Sequence, residues 1–225
     1  MSTCSGLAAL DHANSKFSRG YATTGVGVGM CARHEFIQKN GVGDLQKGER
    51  CVQAGTAYFS PPVRLNLRPR FFRYSNMDYI FASALRHHSP KLTKIGSYDI
   101  ACQWGVYLLE RLKCLPPLVR LHVIFSLSFV IPKLHIYGHK LRCQLNYSFH
   151  FHPGVGNTDG EGIERSHSFI GPMGTTTREM GPGSRHDTLD DVWGYWNWLK
   201  LTSLRRFVAF LHDNLSDLFP FSSHT

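Results

Sequence analysis

Two glutamates three residues apart, Glu161 and Glu164, stand in the stretch TDGEGIERSHSFIGP beside Arg165 and His167, directly after a glycine-rich turn. One reading is a solvated helix start, because acidic side chains are favoured at the positive end of the helix dipole. The other is a metal-binding carboxylate with a partner elsewhere in the chain. Asp99 is the candidate partner: in SYDIACQW it follows a short apolar segment, and open α/β sheets place function at the carboxyl ends of their strands. A turn or helix-cap residue is the alternative for an Asp at that place. Phosphoryl and nucleotidyl transfer uses two divalent cations about 3.5–4 Å apart, one at the attacking and one at the leaving oxygen. Such hard ions prefer carboxylate oxygen, so Asp99 with Glu164 or Glu161 has the chemistry of a metal site.

A second set of ligating residues lies between these acids. His135, His139 and Cys143 fall at i, i+4 and i+8 in HIYGHKLRC, with His150 and His152 shortly after. On one helix the three would share a face, and imidazole with thiolate suits zinc. Gly138 weakens that helix and the spacing matches no closed zinc motif, so packing or DNA contact is the preferred reading and zinc is not expected. Among the basic residues, Arg33 follows a predicted strand, Arg165 follows Glu164, and Arg178 and Arg185 flank the glycine-rich EMGPGSR segment. Guanidinium groups and loop amides of this kind hold phosphates with salt-sensitive affinity and without reading bases. A solvated basic surface is the alternative for each of them.

The elements that must position these residues follow from pattern. TTGVGVGMCARHEFI, residues 23 to 37, alternates small and apolar residues and is predicted to be a buried strand, and KNGVGDLQKGER a turn-rich connection. Met77, Ile80, Phe81, Ala84 and Leu85 recur at helical spacing in NMDYIFASALRHH. A short strand over Ile95 to Ile100 is next, then a helix in WGVYLLERLKCL that Pro116 and Pro117 stop. The apolar run divided by Pro132 is open between helix and strand. A helix beginning near Thr158 or Asp159 carries both glutamates. GPMGTTTREMGPGSRHD reads as a polar loop, and the cap-like Asp187-Thr188-Leu189-Asp190 opens one or two further helices. Trp193, Trp196 and Trp198 are core candidates. The order implies a mixed α/β fold.

The 225 residues are 42% hydrophobic, enough for a packed core, and carry 25 Lys and Arg against 16 Asp and Glu, a net charge of +9. That balance points to nucleic acid or another polyanion as partner. Six cysteines without a CxxC pair fit a reducing compartment. The most lipid-like run, LHVIFSLSFVIP, is well short of the roughly 20 residues of a membrane helix, so no membrane association is expected.

The strings TGVGVGMCARHEF, NGVGDLQKGER, YSNMDYIFASAL, SYDIACQW, PKLHIYGHKLRC, HPGVGNTDGEGIERSHSFI and EMGPGSRHDTLDDVWGYWNW together resemble the Kyakuja-Dileera-Zisupton (KDZ) transposases of fungi, in order and over almost the whole chain. The resemblance implies a ribonuclease H-like catalytic core with an inserted, mainly helical segment at about 105–157, and a DDE-type site that cuts and joins DNA with Mg2+ or Mn2+. Asp99 would be the second acid. The pattern of Glu164, Arg165 and Ser168 also looks like the ER-x-x-S helix of hAT transposases, so Glu164 is preferred as the third acid, with Glu161 as the alternative. A histidine near His135 or His139 would support the scissile phosphate or a flipped base. DNA is the implied partner, self-association is left open, and the implied compartment is the nucleus.

Two departures from the family qualify this. Its first acid lies on a first core strand upstream of the segment matching TCSGLAALDHANSKFSRGYATTGVG, so the chain reads as N-terminally incomplete, a fragment with weak metal binding and little catalysis. Asp11 is the only nearby acid and a poor substitute. Residues 51–73, rich in Arg and Pro, interrupt a pattern in which GER runs almost directly into the YSNMDY helix. Their coding length is a multiple of three, and the reading is a retained intron, with a surface loop as alternative. A non-catalytic DNA-binding remnant or host-retained protein is the second functional reading.

Overall fold

The structure, a computed structural model, describes residues 23–45, 74–121 and 126–218. Asp11 and the 51–73 segment lie outside the described residues. The chain is mixed α/β. Strands β1 (Gly25–Met30) and β2 (Ile37–Leu45) form an antiparallel hairpin. Helix α1 (Ser75–Leu85) precedes β3 (Lys94–Ser97), and the short helices α2 (Ala101–Trp104) and α3 (Leu108–Lys113) follow it. Strand β4 (Leu127–Val130) pairs with β3 in parallel, Lys94 opposite Leu127 and Ser97 opposite Val130. A 3-10 turn (His135–Gly138), α4 (Leu141–Tyr147), α5 (Gly162–Ile170), α6 (Met173–Thr176) and the long α7 (Pro182–Leu218) complete the order. Among the described residues the two strand pairs are separate two-stranded sheets, and no helix is long and apolar enough to cross a membrane.

The expected turn-rich connection at KNGVGDLQKGER is instead strand through Leu45. Its glycines are there for close approach. A Cβ on Gly27 would stand 2.7 Å from Ile80 Cδ1, and one on Gly43 2.8 Å from Ile80 Cγ1. The hairpin therefore lets α1 lie against its backbone, a role of glycine in strands that hydrophobic alternation does not register. On the same helix, Phe81 meets the indole of Trp104 edge-on at 4.9 Å, and Tyr98 and Phe129 complete an aromatic box around it at 5.4 and 5.5 Å.

Other expectations are corrected by backbone geometry. WGVYLLERLKCL is not one helix: Tyr107 is left-handed at φ 59° and separates α2 from α3. The segment from 105 to 157 holds helices and also β4. His135, His139 and Cys143 do not share a helix face, because His139 and Lys140 are extended, with ψ of 158° and 151°, between the 3-10 turn and α4. Helix α7 begins at Pro182, ahead of the expected cap at Asp187; proline is favoured at a first helical position. Trp193 and Trp196 are buried against the hairpin with Ile37 and Leu189, whereas Trp198 is exposed.

A buried ion pair joins the helices. Asp78 on α1, 2% exposed, accepts hydrogen bonds from Trp104 Nε1 at 2.9 Å, Arg111 Nε at 2.6 Å and Arg111 Nη2 at 3.0 Å. Removing one partner strands the other as a buried charge, a loss of about 3–5 kcal/mol. Asp78→Ala or Arg111→Ala is therefore expected to lower the free energy of unfolding by that amount in urea titrations. Asp78→Leu combined with Arg111→Met should recover part of the loss, because neither charge is then left unpaired.

Candidate functional site

Because β3 and β4 are parallel, their carboxyl ends open on the same side. Tyr98 N–H donates to Val130 O at 3.1 Å, carrying the pairing one residue past β3 before the chain reaches Asp99. Beyond β4, Pro132 leads into the 3-10 turn with His135. The DGEG turn then brings Glu161 and Glu164 to the same end. Gly160 has φ +80°, and a Cβ there would stand 2.8 Å from the Phe149 ring and 3.0 Å from Ser97 Oγ, so only glycine suits the turn. Lys133 N–H donates to Asp159 O at 2.9 Å and Leu134 N–H to Glu161 Oε1 at 2.8 Å, which fasten the segment after β4 to the start of α5.

The result is a cluster around one imidazole. His135 Nε2 lies 3.7 Å from Asp99 Oδ2 and 3.8 Å from Glu164 Oε1, and His135 Nδ1 lies 3.4 Å from Glu161 Oε2. Asp99, His135 and Glu164 each offer a ligand atom within 4.8 Å of the others. Burial pushes the Asp99 carboxyl above its ordinary value; His135 opposes this, while the charges of Glu164 and Glu161 add to it. The two glutamates differ in setting. Glu161 is 5% exposed and tied to Leu134 N–H, whereas the Glu164 side chain is 48% exposed. Sequence spacing grouped His135 with His139 and Cys143; the structure sets it among the carboxylates, and the other two face Cys102, which spacing did not single out.

The arginines divide as well. Arg165 turns away from Glu164, donating from Nε to Glu35 Oε1 at 2.6 Å and from Nη1 to Asp159 Oδ2 at 3.0 Å. Arg185 pairs with Asp44, as does His186 at 3.1 Å. Arg33 and Arg178 are exposed. A groove of about 350 Å³, lined by Ala32, Arg33, Asn157, Thr158, Asp159 and Arg165, opens at the turn leading to Glu161.

The family model of the Kyakuja-Dileera-Zisupton transposase matches residues 1–72 and 69–197. The chain belongs to this transposase family. The two matched pieces overlap at residues 69–72. No curated protein and no solved structure matches the chain. KDZ membership implies a transposase-derived function, DNA binding and metal-dependent nuclease chemistry.

The Arg165 brace gives a pH dependence. Burial alone would push the Glu35 carboxyl up, but hydrogen bonds from Lys200 and Arg165 hold it below its ordinary 4.5. The Arg165 hydrogen bond holds Asp159 below its ordinary 3.8. Carboxyls lowered in the folded state stabilise fully above those ordinary values and lose the effect as pH falls through the lowered ones. Melting temperature measured across the acid range should therefore drop more steeply for the native chain than for Arg165→Met, which starts lower at neutral pH. Parallel acid limbs would show that the brace contributes no proton linkage.

Proposed function

We propose that this KDZ chain is a DNA-acting transposase protein in which Asp99 and Glu164, with His135, hold Mg2+ or Mn2+ at the head of a ribonuclease H-like core. The observation that carries the reading is the convergence of two carboxylates from separate elements on one imidazole, at the carboxyl ends of a parallel strand pair. The donor set suits a hard divalent ion, and the upward push on Asp99 from burial and neighbouring glutamates is what a cation would relieve. A bound ion would activate the attacking oxygen and stabilise charge on the phosphodiester. Glu161 acts as a positioning residue through Leu134 and His135, and Arg33, at the groove, is the expected phosphate contact.

Hairpin, helix and parallel pair, in that order, with Asp99 after β3 and Glu164 on α5, the second α-helix after β4, support the ribonuclease H-like reading. Such a core would join the two strand pairs through a strand bearing a further acid. Among the described residues only two carboxylates face the ion position, with Glu161 held by Leu134. The specific reading for the residues described is therefore ion and DNA binding with little cleavage by this chain alone. Its place of action would be the nucleus.

Plasmid nicking and DNA binding, each measured with and without Mn2+, test the reading. Mn2+ binding by calorimetry should be lost in Asp99→Asn and in Glu164→Gln, and weakened about 10–100-fold in Glu161→Gln. Arg33→Ala should lower the salt dependence of DNA affinity by about one unit of slope. Mn2+ affinity unchanged in Asp99→Asn would overturn the metal assignment. Mn2+-dependent nicking that disappears in Asp99→Asn would replace the binding-only reading with full catalysis.

A further inference from the structure

Behind the carboxylate cluster lies a second and chemically different ligand set. Cys102 on α2, His139 after the 3-10 turn and Cys143 on α4 are 1%, 5% and 8% exposed. Each offers a ligand atom within 4.8 Å of the other two, and Cys102 Sγ stands 3.6 Å from His139 Nδ1. We propose that Cys102, His139 and Cys143 hold one zinc ion, with a water in the fourth position.

The geometry fits a tetrahedral ion. Bonds of about 2.3 Å to sulfur and about 2.0–2.1 Å to nitrogen, opened to the tetrahedral angle, place the two ligand atoms about 3.6 Å apart. A thiol–imidazole hydrogen bond accounts for that one distance. The site is the convergence of all three: two buried thiols from separate helices and one imidazole, with ligand atoms within 4.8 Å of one another. Thiolate and imidazole select zinc, whereas carboxylates select Mg2+ or Mn2+, so the two clusters sort different ions and the zinc assignment does not rest on the nuclease reading. Zinc binding releases the two thiol protons to solvent. Ala101, Ile131 and Ile136 pack around the thiols, shielding the ion from exchange.

The consequence lies in what the ion would tie together. Cys102 is three residues beyond Asp99, and His139 is four beyond His135. Zinc would thus fasten the segment carrying Asp99 to the turn carrying His135 and set their separation from behind. Outer-shell partners of this kind orient the groups in front of them.

Elemental analysis of the purified full chain tests the site. About one zinc per chain is expected, retained in Cys31→Ser, Cys114→Ser and Asp99→Asn but lost in Cys102→Ser and Cys143→Ser. Retention in Asp99→Asn, the variant expected to lose Mn2+, separates this proposal from the nuclease reading. Should the two cysteine variants fail to fold, the native chain still decides. Cobalt in place of zinc should give a sulfur-to-metal charge-transfer band, and a strong chelator should remove the metal and lower Tm. A folded native chain with no zinc and no cobalt band overturns the proposal. So does a Cys102–Cys143 disulfide, seen as a mass two hydrogens lower.

Discussion

Asp78 is a carboxylate with almost no contact with solvent, and its charge is met by three N–H groups from two residues that lie far along the chain. Burial pushes its carboxyl up, and the guanidinium of Arg111 and the indole of Trp104 oppose that push. Arg111 also donates from Nη2 to Trp104 O and from Nη1 to Val106 O, at 2.7 and 2.6 Å. These bonds pin α2 and α3 to α1, and α2 starts two residues after Asp99. Helix α1 in turn lies on the hairpin through Ile80 and on the Trp104 box through Phe81. The position of Asp99 therefore depends on satisfying a structural acid that is almost wholly buried.

The candidate site shows the same electrostatics left unresolved. Glu164 is next to Arg165 in sequence, yet the guanidinium turns to Glu35 and Asp159, and the carboxylates are left sharing His135. The charges of Glu164 and Glu161 add to the upward push of burial on the Asp99 carboxyl, a push that a cation would relieve. The geometry also separates the two glutamates by what each can do. Glu161 is committed to a backbone N–H and an imidazole, which suits holding a turn in place, and Glu164 is open to whatever enters. KDZ membership and the cluster meet at this point: a transposase family, and a surplus of negative charge of the kind a cation offsets.

Much of this was legible in the sequence because it rests on local signals. The 3.6-residue period gave α1, and the DGEG turn with its two glutamates announced α5. Asp99 after an apolar segment marked a strand end. What failed was decided by tertiary contact. The hairpin strand β2 looks like a turn because Gly43 is needed beneath Ile80, not because the chain bends there. The Asp78–Arg111 pair has no signal in the sequence, since a buried pair 33 residues apart leaves no periodic trace. His135, His139 and Cys143 shared a helix face only if the helix continued, and the extended backbone at His139 and Lys140 sends His135 to one cluster and the other two to another.

Crystals of the full chain grown with Mn2+ and measured for anomalous scattering address the central claim most directly. The account predicts one manganese peak within about 2.0–2.6 Å of carboxylate oxygens of both Asp99 and Glu164, with Glu161 still bound to Leu134 N–H. A saturated crystal with no peak between those two carboxylates, or with an arginine side chain filling the space, would contradict it.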